Sequence, residues 1–132
     1  MSEPTPPALA GRRVLVVDDN RDAAESLEML LRLMGADVHT AFDGQAALDG
    51  LRRHRPSLVL LDIGLPDMDG YEVARRVRQE PGGSETTLIA LTGWGEEEDR
   101  RLSREAGIDH HVVKPVDFVA LEQLLRSLPQ TR

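Results

Sequence analysis

Polar residues with chemical capacity stand directly behind short apolar runs. Asp18 and Asp19 follow Val14-Leu15-Val16-Val17, Asp62 follows Leu58 to Leu61, Thr92 follows Leu88 to Leu91, and Lys114-Pro115 follow Val112-Val113. Singly, each has an ordinary explanation: an aspartate or threonine can cap a helix or open a turn, and a lysine can be a solvated charge. Gathered at one place they are a different object. Three carboxylates brought close repel one another and raise their own pKa values unless a cation lies among them. Mg²⁺ fits that need, because it takes oxygen ligands, keeps several waters, and is usually held by one or two carboxylates plus a phosphate oxygen. Zinc does not. The chain has no cysteine, and His110 and His111 are neighbours on a strand, so they point to opposite faces.

The elements that must gather these residues are legible as patterns. The runs at Val14 to Val17, Leu58 to Leu61 and Leu88 to Leu91 are apolar without alternation, as parallel strands covered on both faces should be; Val38 to Ala41 and Val112-Val113 are weaker strand signals. Between them, Ala24, Leu27, Leu31 and Met34, and later Phe118, Leu121, Leu125 and Leu128, recur at helical spacing. Ala46 to Leu51 and Val73 to Val77 supply two shorter stripes, and Gly35 is placed to stop the first helix. The alternation βαβαβαβαβα predicts an open, doubly wound α/β sheet with helices on both faces. Ligands of such sheets bind beyond the carboxyl ends of the strands, where the polar residues stand. The helix over Glu96 to Ala106 has few apolar positions, chiefly Leu102 and Ala106. It reads either as a loosely anchored moving part or as an ordinary solvated helix.

Composition bounds the rest. The chain has 132 residues, room for one domain. Met1 to Gly11, rich in Pro and Ala, is expected to be a flexible arm, with the domain over 12–128 and a tail over 129–132. A net charge of −7 argues against nucleic acid as a direct partner. No stretch approaches the roughly 20 apolar residues of a membrane helix, and the absence of cysteine asks for no oxidising compartment, so a cytoplasmic location is expected.

Asp18-Asp19, Leu60-Leu61-Asp62, Pro66-Asp67-Met68-Asp69-Gly70, Leu91-Thr92 and Lys114-Pro115, in this order and spacing, resemble the motifs of bacterial response-regulator receiver domains from about Arg13 to Leu128. The resemblance implies a flavodoxin-like (βα)5 fold with strand order 2-1-3-4-5. It further implies that Asp62 is the phosphoacceptor, taking a phosphoryl group from the phosphohistidine of a histidine kinase or histidine phosphotransfer protein, or from a small donor such as acetyl phosphate. Asp19, Asp62 and the Gly64 carbonyl would hold Mg²⁺, with Asp18 acting directly or through water and Mn²⁺ as an expected substitute. Lys114, beside a cis peptide to Pro115, and Thr92 would serve the phosphoryl group. Thr92 would then pull the loop before the weak helix and open space at His111, so that the face of the fourth helix, fifth strand and fifth helix meets a partner. Such a protein is not an ordinary enzyme, since it catalyses only its own phosphorylation and dephosphorylation. A monomer or weak dimer is expected.

The chain departs from the family pattern in three places. Tyr or Phe usually stands where His111 does, so His111 is either a pH-sensitive switch or a plain strand histidine. Gly64 offers no side chain to orient water, and Trp94 is bulky enough to shield the phosphoryl group; together they predict slow self-dephosphorylation. The stretch around Thr92 and His110-His111 looks more like receivers of hybrid sensor kinases than those fused to DNA-binding domains, so a stand-alone receiver and an excised one are both expected forms. Two other classes compete. A small Mg²⁺-dependent phosphohydrolase would place an acid or base at Gly64 and a cap over a substrate pocket, and an unphosphorylated scaffold would not need the intact acceptor, acidic pair, threonine and lysine.

Overall fold

The computed structural model describes residues 8–93 and 97–128. Five parallel strands, β1 (Arg13–Val17), β2 (Asp37–Ala41), β3 (Leu58–Asp62), β4 (Thr87–Thr92) and β5 (His110–Val113), form one sheet in the order β2-β1-β3-β4-β5. Five helices alternate with them: α1 (Arg21–Leu33), α2 (Gly44–His54), α3 (Gly70–Gln79), α4 (Glu97–Ala106) and α5 (Phe118–Ser127). This is the expected architecture and strand order.

Strand periodicity explains how one sheet carries two cores. Val14 and Val16 face one side and pack with Leu27, Leu31, Leu121 and Leu125 of α1 and α5. Leu15 and Val17 face the other and pack with Leu48, Val73, Val77 and Ala106 of α2, α3 and α4. Both faces being covered, the central strands have no polar side until their last residues. Each buried Leu or Val contributes about 1.5–3 kcal/mol, so the sheet is a rigid platform for whatever its carboxyl edge carries.

Helix starts are set by side-chain caps. Asn20, Asp43, Asp69 and Asp117 accept from first-turn amides of α1, α2, α3 and α5. Gly35, at φ 93°, lets the chain leave α1 through the left-handed region, as its position suggested. Beyond α2 the same left-handed turn is made by Arg55 at φ 47°.

The start of the packed unit differs from expectation. Leu9 is buried among core residues, with its N–H donating to the Met34 carbonyl at 2.9 Å and that of Gly11 to the Gly35 carbonyl at 3.2 Å. The chain from Ala8 is therefore packed, ahead of the expected boundary at Arg12, because one apolar residue in the Pro-Ala stretch reaches the gap beneath the α1–β2 turn. Among the described residues, no helix is long and apolar enough to cross a membrane.

Candidate functional site

Parallel strands with short loops deliver their carboxyl ends to one edge, and the central position of β1 and β3 brings their acidic residues side by side. Asp18 directly follows β1, Asp62 and Thr92 are the last residues of β3 and β4, and Lys114 is the first beyond β5. All line one cleft of about 800 Å³, together with Asp19 and Gly64. Asp18 and Asp62 are buried and Asp19 is exposed, and each offers a carboxylate oxygen within 4.8 Å of the others. Among the described residues this is the one such cluster.

The backbone around the cluster is fixed. The Asp18 N–H donates to the Ala41 carbonyl at 3.0 Å, and its Oδ1 accepts from the Asn20 N–H at 3.0 Å. Burial raises the Asp18 carboxyl above the usual range and the neighbouring Asp62 charge adds to this, against the opposing pull of the Asn20 amide and of Lys114. Asp62 Oδ1 accepts from the Gly64 N–H at 3.0 Å and lies 3.1 Å from Lys114 Nζ. Lys114 is placed by its own N–H, which donates to the Thr92 carbonyl at 2.7 Å, and the Lys114–Pro115 peptide is cis. Thr92 is buried at the floor of the cleft.

This donor set is all oxygen and carries three acidic groups against one ammonium. It suits a hard divalent cation, which takes oxygen ligands and offsets the mutual repulsion of grouped carboxylates. The cleft is also lined by apolar side chains, Leu27 of α1, Pro115 and Val116 before α5, and Phe118 at its start.

The remaining sequence-singled residues fall in different places. His111 pairs in register with Ala90, which puts it on the α4 side of the sheet, half-buried. Gly64 is exposed at the mouth of the cleft, and an added Cβ there would meet Asp62 Oδ1 at 3.8 Å, an ordinary contact. Trp94 and Glu96 lie outside the described residues. On α4, Ala106 is buried and Leu102 half-buried, as the sparse stripe implied, but Ser103 is also fully buried and its Oγ has no hydrogen-bond partner among the described residues.

Residues 14–126 match the family model of the response regulator receiver domain. The chain belongs to that family. An uncharacterized 14.6 kDa protein of Leptolyngbya boryana is 39% identical to this receiver over 119 residues, covering 90% of this chain and 91% of that protein. The probable transcriptional regulator ycf27 of Cyanophora paradoxa is 40% identical over 117 residues, which are 89% of this chain and 48% of that relative, so the receiver spans about half the relative's length. Among solved structures, chemotaxis response regulator CheY4 of Vibrio cholerae superposes with a TM-score of 0.84 at 28% identity, covering 90% of this chain and all of that one. The receiver domain of a Pseudomonas aeruginosa sensor histidine kinase, crystallised with a magnesium ion in its active-site cleft, gives a TM-score of 0.79 at 32% identity, covering 89% of this chain and 96% of that one. The protein is thus a receiver domain of two-component signalling with a flavodoxin-like fold.

In the loop that leaves the cleft after Gly64, residues the sequence left without a role make specific contacts. Asp67, in the loop after β3, accepts from the Gly44 N–H at 2.7 Å and the Gln45 N–H at 3.0 Å, and these two amides hold its carboxyl below the usual range. Its only signal in the sequence was membership of the Pro66 to Gly70 motif. The next residues of that motif have local reasons. Asp69 caps α3 through the Tyr71 N–H at 2.8 Å, and Gly70 sits where a Cβ would fall 2.6 Å from Ile63 Cα.

Proposed function

We propose that this receiver is a phosphorylation switch in which Asp62 accepts a phosphoryl group from a phosphohistidine or a small acyl phosphate in a Mg²⁺-dependent reaction. The observation that carries the reading is that Asp62 Oδ1 lies within reach of both the Lys114 ammonium and the Gly64 amide while its carboxylate belongs to the three-carboxylate cluster.

Asp62 is the nucleophile. Its carboxylate oxygen forms the new O–P bond while the donor's P–N or P–O bond breaks, and the leaving imidazole or carboxylate departs with the bonding pair. A carboxylate needs no base to remove a proton first. Charge in the loose transition state spreads over the equatorial phosphoryl oxygens, and Lys114 supplies a fixed positive charge there while the Thr92 hydroxyl supplies a donor. Asp19, Asp62 and the Gly64 carbonyl would hold the metal, with Asp18 acting directly or through water. When bound, the ion neutralises phosphoryl charge that these carboxylates would otherwise repel. Leu27, Pro115 and Phe118 add apolar surface to the lining of the cleft.

The switch follows from position. Thr92 ends β4, and the next described helix is α4, which is held by few apolar side chains and carries the unpartnered Ser103 hydroxyl. Drawing Thr92 toward a phosphoryl oxygen favours a second placement of α4, with His111 beneath it, and so alters the α4–β5–α5 face offered to a downstream protein. Gly64 has no side chain to orient attacking water, so the phosphorylated form is long-lived.

Intact mass after incubation with acetyl phosphate and Mg²⁺ tests the reading. The wild type should gain one phosphoryl unit, and Asp62→Ala or the metal-free wild type should gain none. No gain from acetyl phosphate or from a panel of phosphorylated kinases would replace the reading with an unphosphorylated scaffold, and turnover of added phosphomonoesters would replace it with a hydrolase.

A further inference from the structure

The chain between Gly64 and α3 must hold a backbone carbonyl in place for the metal, and a carbonyl, unlike a side chain, cannot choose a rotamer. Its direction is that of the loop. Near its ends the loop is tied by the Gly64 N–H to Asp62 Oδ1 at 3.0 Å and by the Gly70 N–H to the Ile63 carbonyl at 3.0 Å. Its middle is tied to a different element. Asp67 spans the first two amides of α2, Oδ1 taking Gly44 and Oδ2 taking Gln45, across 23 residues of sequence. The third amide, Ala46, goes to the helix's own cap, Asp43, at 2.7 Å. Two carboxylates therefore share the positive end of one helix, where a negative charge is favoured, and one of them is delivered by the metal-site loop.

The junction is closed on its apolar side as well. Met68 packs on Gly44 so tightly that a Cβ there would lie 2.4 Å from Met68 Cγ and 3.1 Å from Asp67 Oδ1. Gly44 is thus required for the loop to approach α2, although its φ is not in the left-handed region.

We propose that Asp67 is a positioning residue for the metal site: its two-oxygen latch on the N-terminus of α2 holds the loop that carries Gly64 beside Asp62. The proposal rests on the reading that Gly64 and the carboxylates hold Mg²⁺. It differs from a purely stabilising cap in a measurable way. Asp43 makes the same kind of bond to the same helix end but, among the described residues, its carboxylate hydrogen-bonds its own helix and not the loop, so loss of a cap alone affects both positions alike.

The test is Mg²⁺ titration of the unphosphorylated protein followed by amide NMR, with hydrogen exchange of the Gly44, Gln45 and Gly64 amides in metal-free protein. Removing an outer partner of a metal site usually costs about 10-fold or more in affinity. Asp67→Ala should weaken Mg²⁺ binding about that much and speed exchange at all three amides. Gly44→Ala, acting from the opposite side of the latch, should weaken binding too, and Asp67→Asn, which keeps one acceptor oxygen, should fall between. Asp43→Ala should lower thermal stability and leave Mg²⁺ affinity within about twofold of wild type, far from the change at Asp67. Wild-type affinity in Asp67→Ala, or an equal loss in Asp43→Ala, overturns the proposal. A wild type that binds no Mg²⁺ overturns the metal reading itself, a distinct result.

Discussion

The ammonium of Lys114 and Oδ1 of Asp62 lie 3.1 Å apart, although they belong to the ends of strands that are not neighbours in the sheet. Asp62 is almost wholly buried and Lys114 is 37% exposed by its side chain, so the pair forms at the border of the cleft and opens toward it. Lys114→Ala should therefore reduce the rate of phosphoryl uptake from acetyl phosphate by about 10²-fold or more, the usual cost of losing one preorganised charge donor, while leaving Asp62 modifiable. Time-resolved intact mass reads this directly. An unchanged rate would remove Lys114 from the reaction.

Asp18 makes the metal-free protein pH-sensitive in a defined direction. Its carboxyl pKa is raised in the fold, mainly by burial, so the native state holds this proton more tightly than the unfolded chain does. The charged group costs stability at neutral pH, and that cost is recovered as the pH falls through the raised folded value. Asp18→Asn should accordingly raise the Tm of metal-free protein at pH 7 and flatten this part of the pH dependence. It should also shrink the stabilisation given by added Mg²⁺, which needs the carboxylate ionised. Thermal melts at several pH values, with and without Mg²⁺, measure all three effects.

Arg78 ties three segments together at the opposite end of the sheet. Its guanidinium donates to the carbonyls of Gly107, Gly83 and Thr86 at 2.9, 2.7 and 2.6 Å, and to the Asp109 carboxylate at 2.9 Å. The end of α4 is thus pinned at the edge of the sheet away from the cleft. Arg78→Ala should lower stability by about 3 kcal/mol, since it strands carbonyls that only a planar fork can serve together. Arg78→Lys should recover little of it. Denaturant unfolding gives the magnitude, and faster hydrogen exchange at 107–109 gives the place.

Leu9→Ala should destabilise the domain by about 2–5 kcal/mol, the cost of emptying a fully buried leucine site, without changing phosphoryl uptake under native conditions. A change below about 0.5 kcal/mol, the range of exposed surface positions, would return Leu9 to a loose arm.

The set of residues lining the cleft was legible in the sequence because an apolar strand that ends on a polar residue displays both its buried stem and its polar end locally. Asp18, Asp62, Thr92 and Lys114 each close or follow such a run, and alternation of strands and helices sends those ends to one edge. Helix starts are set just as locally, by Asn20 and Asp117 accepting from amides only two or three residues away, although the sequence suggested Asp18 or Asp19 as the cap before α1. What the sequence could not display is contact between segments far apart in it. Leu9 lies in a Pro-Ala stretch and is core only because the α1–β2 turn leaves a gap for it. Phe118 repeats with the apolar stripe of α5, yet it lines the cleft instead of the interior. Asp67 looks like any loop aspartate until the sheet order sets α2 beside the loop after β3, bringing two unbonded helix amides within reach of its two oxygens. Local pattern determined which polar groups meet in the cleft; the placement of one element against another, which only tertiary packing energy decides, determined what holds them still.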